Sequence, residues 1–112
     1  MLNYPPIEIE KLKQIAPCLS FAEEGGLSYI LIEDLKLPDG CQPRVVNALL
    51  CPSPRDGYES RLFFSDKIAS NVDRNWNGNL RILENNWYAI SWKTQSGLGL
   101  AEMLLVHLDA LR

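Results

Sequence analysis

All three tryptophans of the chain, Trp76, Trp87 and Trp92, fall within one short stretch, together with Tyr88. Aromatic side chains bury more area than any others, so the densest packing is expected here. Leu80 and Ile82 alternate with Arg81, and Tyr88, Ile90 and Trp92 alternate with Ala89 and Ser91. Apolar and polar residues taking turns mark half-buried strands. Glu84-Asn85-Asn86 between them suits a tight turn, because asparagine tolerates positive φ. Asn75 to Asn79, three asparagines and a glycine among them, reads as a loop feeding this hairpin.

The rest of the chain is expected to supply one layer of helix and the remainder of the sheet. Tyr4-Pro5-Pro6 leads into a short amphipathic helix over Ile7 to Ala16, because proline suits a first helical turn, and Pro17 ends it. Cys18 to Ala22 reads as a first strand, and Glu23-Glu24-Gly25-Gly26 as a turn. Leu27 to Ile32, Val45 to Cys51 and Arg61 to Phe64 are rich in the β-branched and aromatic residues that favour strands. Pro38-Asp39-Gly40 and the segment Pro52 to Gly57 break them. After the hairpin, Leu100, Leu104, Leu108 and Leu111 recur at helical spacing within Leu98 to Leu111. That segment is apolar on nearly every side, so burial on more than one face is expected. The order helix, antiparallel strands, helix defines an α+β class with helices packed on a meander of about four strands. A chain of 112 residues makes one domain, residues 1–112.

A formal charge of −3 without a clustered basic run argues against nonspecific nucleic-acid binding. The apolar run Tyr29 to Ile32 stops at Glu33-Asp34, and Leu98 to Leu108 is interrupted by Glu102 and His107, so neither approaches membrane-spanning length. The amino terminus lacks a basic region followed by an apolar stretch. Cys18, Cys41 and Cys51, an odd set without close spacing, read as free thiols in a reducing cytoplasm.

His107 is the sole histidine, which excludes mechanisms needing two. Among Leu104, Leu108 and Leu111 it reads as a packed side chain with one hydrogen bond. Structural zinc sites recruit ligands in close pairs, and no such pair exists, so no metal or cofactor is expected. Cys41, following the Pro-Asp-Gly turn, is the one thiol expected to be exposed enough to react.

The order of these motifs resembles the prokaryotic ubiquitin-conjugating family E, and through it the ubiquitin-conjugating (UBC) fold. The resemblance rests on Tyr29-Ile30-Leu31-Ile32, Leu37-Pro38-Asp39-Gly40, Leu49-Leu50-Cys51-Pro52, Asp56-Gly57-Tyr58, Phe63-Phe64, Trp87-Tyr88-Ala89-Ile90-Ser91-Trp92 and the leucine-rich segment ending at His107-Leu108. It spans about residues 25 to 111, and the order and spacing of loose motifs carry it. Asn77-Gly78-Asn79-Leu80-Arg81-Ile82 is similar to the segment where conjugating enzymes place an asparagine, a glycine and then the nucleophilic cysteine. Arg81 stands in the cysteine position, and no cysteine follows Cys51. Thioester formation needs a thiolate, which arginine cannot replace.

The resemblance therefore implies a UBC-like component of a bacterial ubiquitin-like conjugation pathway linked to antiphage defence. Such a chain would bind the ubiquitin-like protein or its activating enzyme without cysteine catalysis, through Trp76, Asn77, Asn79 and Arg81. An exposed aromatic from the Trp76 loop or the first helix is expected at that contact. Two alternatives stand beside it: an active enzyme with an unusual nucleophile, a serine or Cys41, and a purely structural subunit.

Overall fold

The hairpin forms, with Leu80 opposite Trp87 and Ile82 opposite Asn85, but its second strand is not half-buried: Trp87 and Ala89 lie buried beside Leu80 and Ile82 on one face, and Ile90 is buried on the other. The computed structural model describes residues 4–54 and 57–112, with the side chain of Asn79 outside that description. Arg55 and Asp56, and with them part of the Asp56-Gly57-Tyr58 motif, lie outside the described residues. Helix α1 spans Pro6–Ile15 and α2 spans Leu100–Asp109. Between them run β1 (Leu19–Glu24), β2 (Leu27–Lys36), β3 (Val45–Cys51), β4 (Arg61–Phe64), β5 (Trp76–Ile82) and β6 (Asn85–Ile90). The chain is α+β, with one antiparallel sheet in the order β1-β2-β3-β4-β6-β5. The meander of about four strands corresponds to β1 to β4, and the sheet exceeds it by the hairpin, which joins through β6.

Alternation divides the sheet into two apolar faces. Ile30, Ile32, Ala48, Leu50, Leu62, Phe64 and Ile90 face the helices and pack with Leu12, Leu100, Leu104 and Leu108. Tyr29, Leu49, Cys51, Phe63, Ile82, Trp87 and Ala89 form a second buried cluster on the other side. Helix α2 is tied down at both ends. Its first amide, Leu100, donates to Glu8 Oε1 of α1 at 3.0 Å. Near its other end the Val106 carbonyl accepts from Trp92 Nε1 and the Ala110 carbonyl from Arg74 Nε. The expectation of burial on more than one face is corrected here. Leu100, Leu104, His107 and Leu108 are buried, whereas Leu105 is 44 % exposed, because only one side of the helix meets the sheet.

Three further expectations are corrected by pairing and packing. Asn75 to Asn79 is not a loop: β5 begins at Trp76, whose backbone pairs with Ile90 and whose ring packs on Phe64 with centroids 5.8 Å apart. The asparagines are accommodated by a bulge between Asn77 and Leu80. The tight turn is Leu83-Glu84 rather than Glu84 to Asn86, with φ of 51° and 68°. Positive φ at both central residues is the two-residue hairpin turn whose twist matches the flanking strands. Asn85 supports it from outside, donating from Nδ2 to the Leu83 carbonyl. Finally, β2 does not end at Ile32 but continues to Lys36 through an irregularity at Asp34, whose φ is 54°. There the Asn47 side chain accepts the Asp34 amide at 3.1 Å.

The sheet bends strongly. β1 and β5 are its outermost strands, and in a flat sheet five interstrand spacings would separate them by about 24 Å. Yet Glu24 Oε2, at the end of β1, accepts the Leu83 amide from the β5–β6 turn at 2.9 Å. The face away from the helices is therefore concave, and its two far ends meet.

Candidate functional site

The residues implied to bind a partner lie on β5, one edge of the sheet. They do not converge on one point. Trp76 is half-buried on the helix side, against Phe64 and Ile90. Its expected exposure is thereby corrected: the ring closes the core instead of projecting from a loop. Asn77 lies opposite Ala89 on the concave side, and its Nδ2 donates to Ser91 Oγ at 2.8 Å. The side chain of Asn79 lies outside the described residues. Arg81 is exposed near the far end of the strand, opposite Asn86. Gly78 sits at the bulge, where an added Cβ would lie 3.4 Å from the Tyr88 ring across the hairpin. The ring thus covers the strand where no side chain stands.

The three thiols are all remote from this strand in sequence and held by other elements. Cys18 is exposed and precedes β1, at the opposite edge of the sheet. Cys51 is buried at the end of β3, its thiol directed at the Ser53 carbonyl. Tyr4 lies close enough for Cys51 to affect it: burial chiefly, then Cys51 and Glu8, pushes the phenol up. Cys41 was the thiol expected to react, and the structure corrects that expectation. It is 1 % exposed, packed in the helix-side core with its sulfur 4.0 Å from the Leu111 carbonyl. Burial pushes its thiol up, away from the thiolate form that attacks.

Among the described residues, a buried chain of polar side chains joins His107, Ser60 and Thr94. His107 Nε2 lies 2.9 Å from Ser60 Oγ, which lies 3.0 Å from Thr94 Oγ1. A hydroxyl beside an imidazole is the geometry of an activated nucleophile. Here, however, Ser60 is 1 % and His107 5 % exposed, so no substrate atom has room to approach. Burial, reinforced by the Arg61 guanidinium, lowers the His107 pKa from 6.5 to about 4 and keeps the ring neutral. Arg61 itself is buried, its guanidinium 4.4 Å from the Tyr58 ring centre and 5.5 Å from that of Phe63. This arrangement joins β4, the segment after β6 and α2. His107 is thus a packed histidine, as its apolar neighbours imply, but its partner lies 47 residues away and carries no local signal.

Among the described residues no three His, Cys, Asp or Glu side chains are grouped so as to hold a metal ion, and no helix is long and apolar enough to cross a membrane. No family model, no curated protein and no solved structure matches this chain.

Proposed function

We propose that this chain is a UBC-like domain of a bacterial ubiquitin-like conjugation pathway, one serving antiphage defence, that binds the ubiquitin-like protein or its activating enzyme without a covalent bond. The observation that carries this reading is the absence of a thiol beside Arg81. Cys41 and Cys51 are buried, and the exposed Cys18 precedes the opposite edge strand. Support for the family comes from the motif order in the sequence; the coarser α+β arrangement has a helix before and a helix after an antiparallel sheet. The rival reading, thioester formation on Cys41, is opposed by that residue's burial. Contact through side chains such as Arg81 suits β5, because arginine is favoured at interface anchors and the bulge disfavours strand addition.

The test combines this protein with a purified ubiquitin-like protein, its activating enzyme and ATP. Non-reducing gels are expected to show no hydroxylamine-sensitive adduct. Calorimetry is expected to show binding that Arg81→Glu weakens by about tenfold or more, roughly 1.4 kcal/mol. An adduct abolished by Cys41→Ala would overturn the noncovalent reading. Neither adduct nor binding would leave a structural subunit as the explanation.

A further inference from the structure

Asn77 and Gly78 form the one asparagine–glycine step of the chain. The other asparagines precede tyrosine, alanine, valine, tryptophan, leucine or a further asparagine. Those side chains shield the amide nitrogen that follows an asparagine, whereas glycine leaves it open to close on the carboxamide carbon as a five-membered imide. The fold places this step where the nitrogen is accessible. β5 is an outer strand of the sheet, paired with β6 alone among the described residues, and Gly78 is exposed. The register passes from Asn77↔Ala89 to Leu80↔Trp87, so Gly78 and Asn79 together oppose Tyr88. A bulge of this kind locally disrupts the ladder and leaves one residue unpaired. Against this freedom stands one restraint. The half-buried Asn77 donates from Nδ2 to Ser91 Oγ at 2.8 Å.

We infer that Asn77-Gly78 is a self-modification site, at which Asn77 deamidates and the Ser91 hydroxyl sets the pace. The Gly78 nitrogen gives up its proton to water or hydroxide and bonds to Asn77 Cγ. The Cγ–Nδ2 bond breaks, and Nδ2 departs as ammonia with a proton taken from water. Water then opens the imide at either carbonyl, leaving aspartate or isoaspartate at position 77. Neither oxidant nor reductant enters. Ser91 slows the reaction in two ways. It holds the carboxamide, which must turn to bring Cγ onto the Gly78 nitrogen. It also draws on a hydrogen of Nδ2, whereas departure requires that nitrogen to gain one. Both products replace a neutral amide on β5 by a carboxylate. The isoaspartyl product also adds one atom to the main chain, at the bulge where β5 is already out of step with β6. The chemistry needs no partner, and it stands whether or not Arg81 anchors one.

The test follows the peptide containing position 77 by mass spectrometry while the folded protein stands in mildly alkaline buffer. An isoaspartyl methyltransferase with a labelled methyl donor reads the isoaspartate. Conversion is expected at Asn77 ahead of every other asparagine, and faster as pH rises, because the attacking nitrogen must lose a proton. Ser91→Ala is expected to speed it by about 2–10-fold, the factor that one ordinary hydrogen bond represents. Gly78→Ala, whose added methyl meets the Tyr88 ring at 3.4 Å, is expected to slow it sharply. Circular dichroism verifies that each variant is folded. An Asn77 that stays intact in the folded wild type, or that converts no sooner than another asparagine, would overturn the site. A folded Ser91→Ala that converts at the wild-type rate would overturn the role of the hydroxyl. If Ser91→Ala does not fold, Ser91→Cys decides, since its thiol is a weak acceptor of similar shape, and an unchanged rate there would refute that role.

Discussion

The two faces of the sheet solve the same problem by different means. On the helix side, Leu50, Phe64 and their neighbours are covered by α1 and α2, elements from opposite ends of the described chain. On the concave side no helix of the described residues lies over the sheet. There the strands carry larger side chains, with Tyr29 and Phe63 in an edge-to-face pair at 6.5 Å and Trp87 anchored by its Nε1 to the Ile82 carbonyl. Bending brings the two ends together at Glu24 and Leu83 and leaves a groove of about 520 Å³ whose floor includes Leu49 and Trp87. A sheet face can thus be kept dry without a second layer, provided that aromatic residues fill it and the strands wrap around them.

Truncating each face in turn is the strongest way to break this symmetry. Phe63→Ala, at a position with 0 % exposure on the concave side, is expected to cost about 3–5 kcal/mol in denaturant unfolding. Leu104→Ala, equally buried beneath α2, is expected to cost about 2–5 kcal/mol. A loss below about 1 kcal/mol for Phe63→Ala alone would mean that the concave cluster contributes little to the fold.

Acid should act next, through His107, which lies on α2 and hydrogen-bonds Ser60. Its folded pKa of about 4 lies below the unfolded value of 6.5. Between those values the unfolded state binds the proton more readily, so stability rises with pH across that window. The contribution is whole above pH 6.5 and declines as pH falls toward 4, by at most about 3 kcal/mol. His107→Gln should flatten the slope of unfolding free energy over this range, and an unchanged slope would assign it to carboxylates instead.

The smallest effect probes the contact that joins the sheet's ends. Glu24→Ala removes the acceptor of the Leu83 amide and should cost about 0.5–1.5 kcal/mol. Faster hydrogen exchange at Leu83, with amides under α2 unchanged, would show that the concave face opens on its own.

What the sequence makes legible follows from how local each cause is. The helix-side leucines of α2 and the strands β2 to β4 announce themselves by spacing and composition. Leu83-Glu84 does not announce a turn, since neither residue favours positive φ. The asparagines beside it are the turn signal, and they act as supports: Asn85 braces the Leu83 carbonyl. The Asn75 to Asn79 stretch reads as a loop because a bulge and a loop use the same residues, and only pairing with β6 distinguishes them. Ser60 as the partner of His107, Asn47 as the support of Asp34 and Glu24 as that of Leu83 are tertiary facts with no short-range trace. The candidate binding residues share one strand, and its alternation sends Trp76 and Asn77 to opposite faces.

The bond from Leu100 to Glu8 joins residues 92 positions apart, and it carries a consequence for biosynthesis. Translation delivers α1 before α2, at about 5–20 residues per second. Until α2 leaves the ribosome, Leu12 and the helix side of the sheet have no lid. Folding of the helix side is thus completed only once segments from both ends of the described chain are present together.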